Sequence, residues 1–200
     1  YHQQLELLHD HSAARVVVSL DADFLGGGPF WLRYARQWST RRDPEAGGMN
    51  RLYCAESMPS VTGSMAEHRL PVPSSQVPRV GLQLAAEVMT LMPHTSLPPA
   101  QAALFAAWRA HDQPWVRAAA RDLVAAQGSG LLVVGDRQPA ALHILAHVLN
   151  RVLGNMGRTV WTIPCALVVP RNKMELAELS LEMGKRKTQT LRILEGNPRV

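Results

Sequence analysis

The sequence predicts an α/β fold, a doubly wound, mostly parallel sheet with helices on both faces. Short apolar runs alternate along the chain with segments of helical period, which is the signature of strand-helix-strand crossovers. The runs are continuous rather than alternating, as expected of strands covered on both faces. Glycine or proline punctuates most of the boundaries.

Arg15 to Leu20 is rich in β-branched residues and stops at Asp21, Asp23 and the triple glycine Gly26, Gly27, Gly28, so it reads as a buried strand running into a loop. Pro29 fits the first turn of a helix to about Arg42, with Phe30, Trp31, Tyr34 and Trp38 on its apolar face. Gly47 and Gly48 break it, and Arg51 to Glu56 is a second strand. Ser57 to Val80 holds Pro59, Pro71, Pro73 and Pro78 without a clear period; a long connection is expected there, functional or embedded in a neighbour. Three helices should follow, over Leu82 to Met92, Pro99 to Ala110 and Pro114 to Gln127, the last stopped by Gly128.

Leu131 to Val134 is a short strand closed by Gly135, and Pro139 starts a helix in which Leu142, Leu145, Leu149, Val152 and Leu153 recur at helical spacing until Gly154. Arg158 to Ile163 is expected as a strand, Lys173 to Met183 as a helix, and Thr190 to Leu194 as a final strand leading into Glu195-Gly196-Asn197-Pro198. With nothing beyond Val200 to cover that strand, and with Tyr1 rather than Met at the start, the chain is expected to be a fragment of a larger fold.

A chain of 200 residues is one domain's worth and can bury a sizeable core. Its composition, 46% hydrophobic and 18% charged, excludes a disulfide scaffold or a disordered tail. It contains no uninterrupted apolar stretch of the roughly 18 residues a membrane helix needs. The net charge is +5 (21 Lys and Arg against 16 Asp and Glu), which permits an acidic partner or a negative membrane surface. The basic residues are nonetheless scattered, and Lys185-Arg186-Lys187 lacks the interleaved aromatics that stack on bases, so no nucleic-acid partner is expected. Cys54 and Cys165 are too few for a disulfide framework and too far apart for a zinc or iron–sulfur ligand pattern.

In a parallel sheet, ligands sit beyond the carboxyl ends of the strands, which singles out Asp21 to Gly28, Glu56 onward, Gly135 to Gln138, Pro164 to Cys165, and Glu195 to Pro198. Asp21, Asp23 and the glycines stand where a dinucleotide loop would be. Their order does not fit G-x-G-x-x-G, and two carboxylates repel a pyrophosphate, so a plain turn is favoured over a remodelled phosphate site. Arg137 is either a phosphate contact or a surface side chain. His143 and His147 share a helix face but lack the Glu of H-E-x-x-H and a third ligand, which favours a packing pair. His9-Asp10-His11 resembles a ligand cluster, although a solvated cap or partner contact is the simpler expectation. Gly128-Ser129-Gly130 precedes a strand and so cannot be a nucleophile elbow. Cys54 reads as a buried structural thiol, and Cys165 as the better candidate for a reactive or metal-bound one. No catalytic, cofactor-binding or metal-binding residue is assigned.

Leu131-Leu132-Val133-Val134-Gly135, the helix from Leu142 to Asn150, and Leu153-Gly154-Asn155-Met156-Gly157-Arg158 together resemble the molybdopterin oxidoreductases, in which a helix runs into a Gly-Asn-x-Gly-Arg turn before the next strand. Leu194-Glu195-Gly196-Asn197-Pro198 is similar to that family's strand ending in Gly-Asn-Pro, near which the pterin dinucleotide is held. A narrower likeness is carried by Val18-Ser19-Leu20-Asp21-Ala22-Asp23-Phe24-Leu25, Arg33-Tyr34-Ala35-Arg36, Met49-Asn50-Arg51-Leu52-Tyr53, Glu56-Ser57, Thr62-Gly63-Ser64-Met65-Ala66 and His68-Arg69-Leu70. In combination these resemble the large iron–sulfur subunit of bacterial alternative complex III.

The resemblance implies that residues 1–200 are a molybdopterin-oxidoreductase-like α/β region that has lost its cofactor and serves as scaffold. It implies a complex that oxidises quinol and passes electrons towards cytochrome c or an oxidase, peripheral on the periplasmic side of the bacterial cytoplasmic membrane. Its partners would be the other subunits of that membrane complex, including cytochrome c and the quinol-oxidising membrane subunits. Iron–sulfur clusters would lie elsewhere in the full subunit, on cysteine clusters beyond Val200. The alternatives are an active molybdopterin-dependent oxidoreductase completed by other segments, and a nucleotide-binding regulatory domain using Gly135 to Gln138.

Overall fold

β2 (Val16–Leu20) is buried at every position, because it is covered on both faces and paired on both edges. Three valines and a leucine in five residues suit such a site: β-branched side chains pack well on a pleated surface and leave no polar group to satisfy. A computed structural model describes residues 5–46, 48–92, 113–164 and 176–185. The chain divides into two compact units, Leu5–Ile163 and Tyr1–Gln4 with Pro164–Val200. Within the second, a helix over Leu176–Gly184 is described, in agreement with the helix expected there.

The larger unit is a mixed α/β structure built on a parallel sheet of four strands in the order β4-β3-β2-β5, with β3 (Arg51–Glu56), β4 (His68–Pro71) and β5 (Gly130–Val134). Val16 pairs with Arg51 on one side and Gly130 on the other, and Leu20 with Ala55 and Val134. The period of two then sorts the side chains onto two faces. Val16, Val18, Leu20, Tyr53, Ala55 and Leu132 face a core closed by α3 (Val77–Leu91), α4 (Pro114–Ala125) and α5 (Ala140–Val152). Val17, Leu52, Leu131 and Val133 face the other, where Phe24, Leu25 and the buried Tyr34 and Trp38 of α1 (Trp31–Ser39) pack.

Three features differ from the sequence reading. Ser57 to Val80 is not a long connection: it contains α2 (Val61–Ser64), the edge strand β4, a 3-10 turn over Ser74–Gln76, and the start of α3. A four-residue helix and a four-residue strand are too short to set up a period, and Pro78 starts α3 rather than breaking it. Secondly, β1 (Leu5–His9) is a strand that the apolar pattern did not reveal, since Leu5 and Leu7 are exposed. Thirdly, β6 (Val160–Pro164) pairs with β1 in a separate two-stranded sheet instead of joining the main one. The turn before it explains this: Thr159 Oγ1 donates to the Gly130 carbonyl and Asp10 N to the Thr159 carbonyl, which ties the entrance of β6 to the β1 side. The helix expected over Pro99 to Ala110 and the strand over Thr190 to Leu194 lie outside the described residues.

The turn that leads to β6 is built on two buried amides. Asn150 lies along β5, its Oδ1 accepting from Leu132 N at 3.0 Å and its Nδ2 donating to the Leu132 carbonyl at 2.8 Å. Asn155 Nδ2 donates to the same Asn150 Oδ1, and the Asn155 carbonyl accepts from the amides of Arg158, Thr159 and Val160. Gly154 supplies the left-handed residue that ends α5, at φ 69°. The Gly-Asn-x-Gly-Arg motif thus works here as a clip between α5, β5 and β6.

Replacing Asn150 with Leu strands the Leu132 N–H and carbonyl in the core. Two orphaned backbone groups should cost about 2–4 kcal/mol. Urea unfolding of the intact protein checks this against Arg137→Ala, an exposed change expected to stay within about 0.5 kcal/mol. Equal effects of the two variants would remove the clip from the account of stability.

Candidate functional site

The crevice where the strand order changes direction lies between the carboxyl ends of β2 and β5, and this is where a parallel sheet ordinarily receives a ligand. Here the two strand ends stay in close backbone contact. Gly135 N donates to the Leu20 carbonyl at 2.9 Å, continuing the ladder one step beyond the strands. A Cβ on Gly135 would collide with the Asp21 carbonyl oxygen, so only glycine permits this approach. Asp21 turns the chain away at φ 62°, the only left-handed non-glycine conformation among the described residues.

Side chains then close the opening. Gln138 Nε2 donates to Asp21 Oδ2 at 2.7 Å and to Ser74 Oγ at 2.9 Å, and Ser74 Oγ donates to the same Asp21 oxygen at 3.2 Å. The triangle joins loops that follow β2, β4 and β5. Beside it, Asp23 Oδ1 accepts from both the amide and the hydroxyl of Thr62, at 2.9 Å each, which sets a carboxylate on the first turn of α2. Thr62 Oγ1 in turn accepts from Leu25 N, and Phe24 and Leu25 are buried. The loop after β2 therefore folds down onto the sheet.

A third carboxylate completes the arrangement. Glu56, 3% exposed at the end of β3, accepts from Ser60 Oγ at 2.6 Å and from Arg69 Nε at 2.5 Å. Burial pushes the Glu56 carboxyl up, but the bonds from Arg69 and Ser60 outweigh it and hold the group below the usual carboxylate range. The Ser60 hydroxyl accepts from Gly63 N as the cap of α2. Chemically the site is a set of carboxylates committed to hydrogen bonds from hydroxyl, amide and guanidinium donors.

The other residues singled out by sequence fall elsewhere. Arg137 and Asp136 are exposed, while Gln138, which carried no motif signal, is the residue of that loop turned inward. His143 and His147 are half-buried on α5, and among the described residues no group of three or more His, Cys, Asp or Glu could hold a metal. Cys54 is fully buried, and burial, first of several causes, pushes its thiol up to about 12, in keeping with a structural role. Gly130 begins β5, as the reading of Gly128-Ser129-Gly130 required. Cys165 and Glu195 to Pro198 lie outside the described residues.

His9-Asp10-His11 divides between two roles. Asp10 is the cap, its Oδ1 accepting from Ser12 N and Oγ and from Ala13 N. His11 is not solvated: it is fully buried, stacked on Phe24 with centroids 4.3 Å apart and 4.8 Å from the Tyr34 ring, and neither ring nitrogen has a partner. Burial lowers His9 to about 4 and His11 to about 3, the latter helped by the neighbouring His9. Both rings are neutral near pH 7.

No protein-family model and no curated protein matches the sequence.

Because both histidines protonate more readily in the unfolded chain, near pH 6.5, than in the folded one, stability is complete above that pH and falls as the pH drops below it. Each contributes up to about 1.4 kcal/mol per pH unit. His11→Phe keeps the stack on Phe24 and removes two orphaned nitrogens, so it should match or exceed the parent at pH 7.5 and lose less stability between pH 6.5 and 5. Urea midpoints at those pH values measure it; an unchanged slope would remove His11 from the acid response.

Proposed function

We propose that this chain is a cofactor-free scaffold region of the iron–sulfur subunit of a quinol-oxidising electron-transfer complex of the alternative complex III type. The observation that carries the reading is the crevice at the carboxyl ends of β2 and β5, which Asp21, Ser74 and Gln138 fill with bonds among themselves. In our reading the sheet is doubly wound and this is its switch point. An anionic pterin dinucleotide does not fit residues of this kind: Asp23 occupies the first turn of α2, and Asp21 stands at the mouth. The Gly154 to Arg158 turn, which carries the wider resemblance, supports the same view, since its amides are spent on the end of α5, on the turn itself and on β6.

On this proposal the region keeps neighbouring subunits in register, including a cytochrome c and quinol-oxidising membrane subunits, on the periplasmic side of the cytoplasmic membrane. Iron–sulfur clusters elsewhere in the subunit would conduct. Electron tunnelling needs closely spaced centres, so a rigid domain can matter without holding one. Among the described residues no helix is long and apolar enough to cross a membrane, which is compatible with peripheral attachment.

The test is elemental and pterin analysis of the intact subunit purified from its own membranes. Iron with no molybdenum, tungsten or oxidised-pterin fluorescence is the expected result. About one molybdenum or tungsten per chain would favour an active molybdopterin oxidoreductase instead, and absence of iron would leave the electron-transfer reading without its conductor.

A further inference from the structure

We propose that the opposite, amino end of the sheet carries a binding site for a small dianion, a phosphate or dicarboxylate group held by Arg15 and Arg41. A cavity of about 340 Å³ opens there, with Arg15, Arg41, Arg51 and Asp122 as its charged lining. The site goes beyond the scaffold reading and does not depend on it.

The three guanidinium groups are not equivalent. Arg51 is committed: its Nη1 lies 2.5 Å from Asp122 Oδ2, an oxygen that also accepts from the Tyr53 hydroxyl at 2.6 Å. Arg42, next to the cavity in sequence, is also satisfied, paired with Glu67 and lying 4.3 Å over the Trp38 ring. Arg15 and Arg41 have no carboxylate within ion-pair distance among the described residues, and Arg41 Nε is buried without a partner. Three arginines less one aspartate leave the cavity with 3 − 1 = 2 uncompensated positive charges. That is the charge of a phosphate monoester or a dicarboxylate.

Backbone bonds fix the positions from which these side chains reach. Arg15 N donates to the Ser129 carbonyl, Arg51 N to the Arg15 carbonyl, and Asn50 N to the Arg41 carbonyl. A planar guanidinium fork matches two oxygens of one phosphate or carboxylate, which a point charge does not. Val16, Met49, Ala125 and Ala126 supply an apolar wall for the uncharged part of a small molecule. The volume is at the small end of ligand pockets, roughly 300–1,000 Å³, and suits an anion with a short carbon skeleton.

Calorimetric titration of the intact protein with inorganic phosphate and, separately, with malonate tests this at constant ionic strength set with chloride. Saturable binding of one anion per chain is expected, and the tighter of the two identifies the ligand class. Arg41→Gln and Arg15→Gln should each weaken it about tenfold, the loss of one charge-assisted contact. Arg137→Gln, at the other end of the sheet, should leave it unchanged. Urea midpoints without anion establish that each variant folds, and the exposed Arg15→Gln serves if Arg41→Gln does not. Failure of both anions to saturate, binding indifferent to Arg15 and Arg41, or an equal loss in Arg137→Gln would overturn the proposal.

Discussion

The structure depends on one constraint: β2 has no free edge and no free face. A parallel partner on each side requires crossovers, and burial of both faces requires helices or loops to cover them. Both core clusters consequently meet on this strand, Val16, Val18 and Leu20 serving one and Val17 the other. The central position also fixes where the chain can turn. At its carboxyl end the strand is pinned by Gly135 N on Leu20 O and by Asp21 N on Ala55 O, so the next residue must leave sharply, and Asp21 takes the left-handed conformation.

Much of this was legible in the sequence because the buried strands are locally extreme. Arg15 to Leu20, Arg51 to Glu56 and Leu131 to Val134 are runs whose length and composition favour buried strands, and the structure places strands at all of them. β1 and β4 left weak signals for a physical reason. They are edge elements with half-exposed faces, and their stability comes from pairing with a neighbour rather than from their own pattern. The swing of β6 towards β1 was hidden in the side-chain bonds of Thr159 and Asn155, which no hydrophobic period encodes.

The candidate site was half legible. Asp21 and Asp23 could be seen to disfavour an anion at a strand end, and the structure gives each a hydrogen-bond partner there. The loop Gly135 to Gln138 was singled out, but the roles of Gln138 and Ser74 were not legible, since they come from meeting Asp21 across 117 and 53 residues of sequence. His11 was misplaced for a related reason. A histidine between an aspartate and a serine looks solvated, and only the fold brings Phe24 and Tyr34 around it.

The two ends of the sheet differ in electrostatic character. Parallel α/β domains usually receive anions at the carboxyl end, where helix amino termini converge. In this chain that end carries Asp21, Asp23 and Glu56, each engaged by donors, while the amino end carries Arg15 and Arg41, which have no carboxylate within ion-pair distance among the described residues. The carboxyl end of α4 also reaches the basic cavity through Asp122, Ala125 and Ala126, and its dipole favours cations. That dipole amounts to about half an elementary charge, weaker than either free guanidinium. It can account for tolerating one arginine at this position, but it leaves most of the charge of Arg15 and Arg41 unbalanced.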